Sequence, residues 1–144
     1  MALAMVVGAA LGLERERLDR PAGLRTYMLV VEGSCLFMVC ALMISQQVAP
    51  SGQFSDPGRI ASTVVQGIGF IAAGVILTTG RQILGLTTAA GIWVGAALGL
   101  IVGAGFYAFA IVATAATLIA LVLLRQVELR FLGSKSRRGE EREP

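Results

Sequence analysis

The sequence predicts an all-α fold, a polytopic membrane helix bundle. Three observations carry this. First, 56% of the 144 residues are hydrophobic and the mean hydropathy is +0.77, a composition foreign to soluble domains of this length. Second, the apolar residues fall into five runs separated by short polar breaks. Third, the cations gather in alternate breaks. Together they predict five transmembrane segments, the first one short, with the N-terminus outside and the C-terminus cytoplasmic. Residues 1–124 form the membrane domain and 125–144 a short polar cytoplasmic tail, disordered after about Leu132.

The five runs are Ala2 to Leu13, Leu24 to Ser45, Ile60 to Thr79, Leu86 to Val102 and Phe106 to Leu124. A span of about 30 Å of hydrocarbon needs about 20 residues. The second, third and fifth runs satisfy this, and the fourth is near the lower limit. The first reaches only about 20 Å at 1.5 Å per residue, so it reads as a partial span or one whose start lies upstream. It has no basic leader region, and it ends in Glu14-Arg15 instead of a small-residue cleavage site. It therefore reads as a retained span and not a signal peptide.

Orientation follows from charge. The hinge Leu13 to Thr26 holds four of the twelve cations and three of the nine acids. Placing that hinge, the Gly80–Gly85 turn and the tail in the cytoplasm puts eleven cations inside and leaves Arg59 alone outside. The same bias accounts for the net charge of +3, which points to no nucleic-acid partner.

Other chemistry is sparse. There is no histidine, hence no imidazole base or metal ligand. Cys35 and Cys40 lie five residues apart on one helix, about 140° around the axis, and read as packing residues that cannot pair with each other. No nucleophile–base pair, phosphate loop or metal cluster is visible, so the expectation is a non-enzyme without metal or cofactor. Gly103-x-Gly105 is a turn and not a nucleotide site.

Small and polar residues recur at helical spacing. The fourth run carries Gly91, Gly95, Gly99 and Gly103, the first Ala4, Gly8 and Gly12, and the third Gly67, Gly69 and Gly74. In lipid, helices associate through close backbone approach and not through hydrophobic drive. These glycines are therefore expected at helix-packing seams, within the bundle first and at a homo-oligomer or partner seam otherwise. Asp56 is a natural N-cap and Pro57 a natural first helical residue. Arg59, Ser62, Thr63 and Gln66 then form a polar stripe, read either as capping and interhelical hydrogen bonds or as an outer polar vestibule with Asp56 and Arg59 at its mouth. Thr87 or Thr88 can cap the fourth helix, and Trp93 can pack opposite the glycine stripe. Glu32, about 12 Å along the second helix from its inner end, should be paired or protonated in the membrane. The hinge charges Glu14, Arg15, Glu16, Arg17 and Arg20 read as a solvated turn with surface ion pairs, whose arginines can also hold lipid phosphates.

The order of these residues resembles a known family. Gly12-Leu13-Glu14-Arg15-Glu16, followed by Arg20-Pro21-Ala22-Gly23-Leu24-Arg25-Thr26, is similar to the opening signature of the MgtC/SapB membrane proteins. Asp56-Pro57-Gly58-Arg59, the Gly67 to Gly74 block and the Gly85 to Trp93 block follow in family order. The resemblance implies a multi-pass protein of the bacterial inner membrane, linked to growth at low magnesium and to survival inside host cells, hence to virulence. The best-known type is similar to a regulator that restrains the F-type ATP synthase. Better-known members add a soluble ACT-like domain after the fifth span, where this sequence has the short tail. Many have a basic residue where Leu84 stands, and some an Asn where Thr87 stands. Glu32 stands where the family is usually apolar.

Two functions follow as expectations. The first is a non-enzymatic regulator acting through helix contacts with a membrane complex, such as F-type ATP synthase, or with its own copies. The alternative is a transporter or channel for magnesium or another ion, for which Asp56 and Glu32 are a thin supply of carboxylates. The functional surface expected from the hinge and the later blocks is Glu14, Arg15, Arg20, Arg25, Asp56, Arg59, Thr87 and Thr88.

Overall fold

A computed structural model describes residues 1–51, 55–79, 82–127 and 130. Five α-helices dominate: α1 (Ala2–Glu16), α2 (Leu24–Val48), α3 (Pro57–Ala73), α4 (Leu86–Gly103) and α5 (Tyr107–Val127). Of these, α2, α4 and α5 are long and apolar enough to cross a membrane. The 15 residues of α1 and the 17 of α3 extend about 22 and 25 Å. The tail beyond Arg130, with Lys135, Arg137, Arg138 and Arg142, lies outside the described residues, as does Arg81.

Helix boundaries follow local chemistry. Asp56 caps α3, its Oδ1 accepting the Gly58 N–H at 2.8 Å, with Pro57 in the first turn. The third apolar run does not stay helical to Thr79. It stops at Ala73, and an antiparallel hairpin follows, β1 (Leu77–Thr79) and β2 (Gln82–Leu84), with Leu77 opposite Leu84. Val75, Ile76, Thr78, Thr79 and Ile83 are β-branched and fit a strand as readily as a helix. Gly85 closes the hairpin at φ 87°, a left-handed conformation that favours glycine, and a Cβ there would strike the Val75 carbonyl oxygen. Gly105, at φ 88°, makes the turn from α4 to α5 in the same way.

The packing centres on α2. Its neighbour α4 runs parallel to it, since Gly91 and Gly95 meet Tyr27 and Val31 while Gly99 and Gly103 meet Ser34 and Cys35 farther along. On its other side α1 runs antiparallel, with Gly8 against Met28 and Gly12 against Leu24. Backbones touch here. A Cβ at Gly12 would lie 2.6 Å from the Leu24 Cα, and one at Gly103 2.6 Å from the Cys35 carbonyl oxygen. The shared core includes Leu11, Val31, Cys35, Ile92, Ala96 and Leu98. α3 packs on α2 and α4, and α5 on α4 and α1. Both outer helices leave wide faces uncovered, as expected of a bundle whose surroundings are lipid.

Candidate functional site

The hinge shapes one end of the bundle. α1 stops at Glu16, and the chain turns through Asp19, whose φ is 50°. α2 then starts after Gly23, which has no side chain to cap it. Glu16 supplies the cap instead: its Oε2 accepts the Leu24 N–H at 2.5 Å, satisfying one of the orphan donors of a helix start. A Cβ on Gly23 would run into that carboxylate. This is a physical reason for glycine before Leu24 in the order Arg20-Pro21-Ala22-Gly23.

Arg15 is the centre of the site. It continues the buried face of α1, after Ala4, Val7, Gly8, Leu11 and Gly12, and is 4% exposed. Its Nη2 donates to Thr88 Oγ1 at 2.8 Å. The Tyr27 hydroxyl, fully buried, donates to the Thr88 carbonyl at 3.4 Å. Gly91 lies one turn beyond Thr88, and a Cβ there would collide with the Tyr27 hydroxyl. Three helices thus meet at one polar point, with Arg15 from α1, Tyr27 from α2 and Thr88 from α4. Such a point costs desolvation and fixes geometry, because a polar group left unpaired there is expensive.

Glu14 adds charge without closing the network. Its Oε2 lies 3.8 Å from Arg15 Nη1. That Oε2 and Arg15 Nε are both buried without a hydrogen-bond partner among the described residues. The arrangement can hold three helix ends in register. It offers no nucleophile beside a base, and no group of three or more acids, cysteines or histidines positioned for a metal occurs among the described residues.

Several expectations need correction. Arg15 does not lie on a solvated turn: α1 extends through it and carries it inward. Neither threonine caps α4, whose N-cap is Gly85 without a side-chain bond; Thr88 instead accepts from Arg15, and Thr87 is exposed. Arg20 and Arg25 are exposed at the hinge, where a pocket of about 410 Å³ opens beside Glu16, Asp19 and Arg20. Asp56 and Arg59 lie at the opposite end, where Ser45 Oγ donates to the Ser55 carbonyl at 3.3 Å, so the structure does not bring them to the hinge residues. Along their stripe Arg59, Ser62, Thr63 and Gln66 are exposed. Ser62 and Thr63 donate back to the Arg59 carbonyl.

The glycines divide as well. Gly8, Gly12, Gly91, Gly95, Gly99 and Gly103 face α2, whereas a Cβ at Gly67 or Gly69 would meet nothing within 4 Å. Gly74 ends α3, with the Ile71 carbonyl 3.2 Å from its would-be Cβ. Trp93 is half exposed, away from the seam, and Glu32 is half-buried with no ion pair or hydrogen bond among the described residues. Cys35 and Cys40 are both free, one buried and one exposed. Tyr27 escaped sequence reasoning; the available signal was a phenol two residues into a span after Arg25, which needs a hydrogen-bond partner once buried.

Arg15 and Thr88 belong to the blocks that carry the family likeness, and a family model described as "MgtC family" matches residues 1–130. The chain belongs to the MgtC family. "Putative magnesium transporter YhiD" of Escherichia coli (strain K12) is 42% identical over 131 residues, covering 90% of this chain and 61% of that protein. "Protein MgtC" of Salmonella typhimurium (strain LT2) is 41% identical over 127 residues, 88% of this chain and 52% of the relative. An uncharacterised Haemophilus influenzae protein is 39% identical over 141 residues, 96% and 59%. The chain thus spans only about half to three fifths of these MgtC-family relatives. No solved structure matches it.

Proposed function

We propose that this MgtC-family chain is a non-enzymatic regulator of the bacterial inner membrane. It acts through helix contacts with another membrane complex, in cells facing magnesium limitation or stress, including life inside a host. The observation that carries this reading is the division of labour among the helices. α1, α2 and α4 are locked by glycine contacts and by Arg15, Tyr27 and Thr88. α3 presents an uncovered face in which Arg59 and Gln66 stand beside Gly67 and Gly69. Polar groups facing lipid are costly, and uncovered glycines permit close approach, so this face suits another protein helix. The F-type ATP synthase that the sequence resemblance implies is one such partner, and a second copy is another. Orientation with the N-terminus outside and the hinge in the cytoplasm belongs to the same proposal.

The alternative is magnesium transport, favoured by the name of the E. coli relative, "Putative magnesium transporter YhiD". Liposomes holding the purified chain separate the two readings. Regulation predicts no saturable magnesium flux, together with a membrane complex that co-purifies with the wild type and is lost with Gln66→Leu. Saturable flux abolished by Asp56→Asn would overturn it.

A further inference from the structure

A second cavity lies beside the Arg15 network and shares Glu14 with it. It occupies about 410 Å³ between the end of α1 and the end of α5. Leu13, Leu118 and Val122 form its apolar wall, and Glu14, Arg17 and Arg125 its polar rim. Leu13 and Val122 are each 43% exposed, so the wall is open to the bundle's surroundings. Each arginine lies at the C-terminal end of its helix, where a cation is favoured in any case. That accounts for one cation per helix; it does not account for two from opposite ends of the sequence meeting over one apolar cavity.

We propose that this cavity binds a single anionic phospholipid. Arg17 and Arg125 hold the phosphodiester, since guanidinium forks match phosphate oxygens in pairs. An acyl chain lies along Leu13, Leu118 and Val122. The two arginines less Glu14 leave a net charge of +1 on the rim, complementary to a headgroup of net −1 such as phosphatidylglycerol. Basic pockets between membrane helices bind anionic headgroups by this combination. The bound lipid would brace α5, which packs on the bundle through α4 and α1. The site stands whether the chain regulates or transports.

Native mass spectrometry of the purified chain tests this. Phosphatidylglycerol is expected to remain bound at least tenfold more tightly than phosphatidylcholine of the same chains. The R17Q/R125Q double variant should lose that preference, whereas R130Q should keep it. Equal retention of the two lipids by the wild type would overturn the proposal whatever the variants' folding. Displacement of the lipid by inorganic phosphate at equal concentration would also overturn it, by assigning the rim to a free anion. A well-folded double variant that retained phosphatidylglycerol would do the same.

Discussion

Arg15 and Thr88 are 73 residues apart in the chain, yet the Arg15 guanidinium donates to the Thr88 hydroxyl at 2.8 Å inside the bundle. The bond crosses from the last turn of α1 to the first turn of α4. With Tyr27 on the Thr88 carbonyl, it sets the relative height of three helices that glycine contacts alone would allow to slide.

A double-mutant cycle measures that bond. Thr88→Val keeps the shape and strands a buried guanidinium, at an expected cost of about 1–3 kcal/mol. Arg15→Met should cost about 3–5 kcal/mol, because it removes the ion-pair partner of the partly buried Glu14. The double variant should lose less than the sum, with a coupling of about 0.5–3 kcal/mol. Reversible unfolding in mixed micelles gives all the values needed, and strict additivity would show that the pair is not coupled.

The glycines separate by what surrounds them. A Cβ at Gly99 would strike the Val31 carbonyl oxygen, which is backbone and cannot swing aside. Gly99→Ala should therefore destabilise by about 1–3 kcal/mol through overpacking. Gly69→Ala meets open space and should instead stabilise α3 by up to about 1 kcal/mol of helix propensity. Equal melting shifts for the two variants in detergent would contradict a packed Gly99 and an open Gly69.

The contrast shows where a sequence is informative. Gly91, Gly95, Gly99 and Gly103 repeat every four residues, so their common face is legible without coordinates. Which helix fills it is not, because Val31 and Ser34 carry no mark of their partner. The end of α3 is hidden because Val75 to Thr79 continues the apolar run with mostly β-branched residues, which suit either state. Arg15 reads as surface charge because its neighbours Glu14, Glu16 and Arg17 are charged. Only its register with Leu11, Gly8 and Ala4 places it inside.

Glu16 should behave as a cap and not as a general surface acid. Glu16→Gln retains an acceptor for the Leu24 N–H, whereas Glu16→Ala leaves that donor without one. The loss of a cap costs about 0.5–2 kcal/mol, so amide exchange at Leu24 should speed up by roughly tenfold in the alanine variant. The glutamine variant should stay close to wild type. Matching acceleration in both would mean that charge, and not the hydrogen bond, holds the hinge.

The fold also sharpens the topology prediction. α1 ends, α2 starts and α5 ends on one side of the bundle, since Arg17 and Arg125 line one cavity. Exposed Arg17, Arg20, Arg25 and Arg125 are therefore gathered at one end, with Arg59 at the other. Positive charge is retained on the cytoplasmic side of bacterial membranes, so both the hinge and the end of α5 should face the cytoplasm. Alkaline phosphatase fused after Val127 should be inactive and a fluorescent protein at the same position bright. The opposite pattern, with active phosphatase and no fluorescence, would place the arginine-rich end outside and reject the orientation.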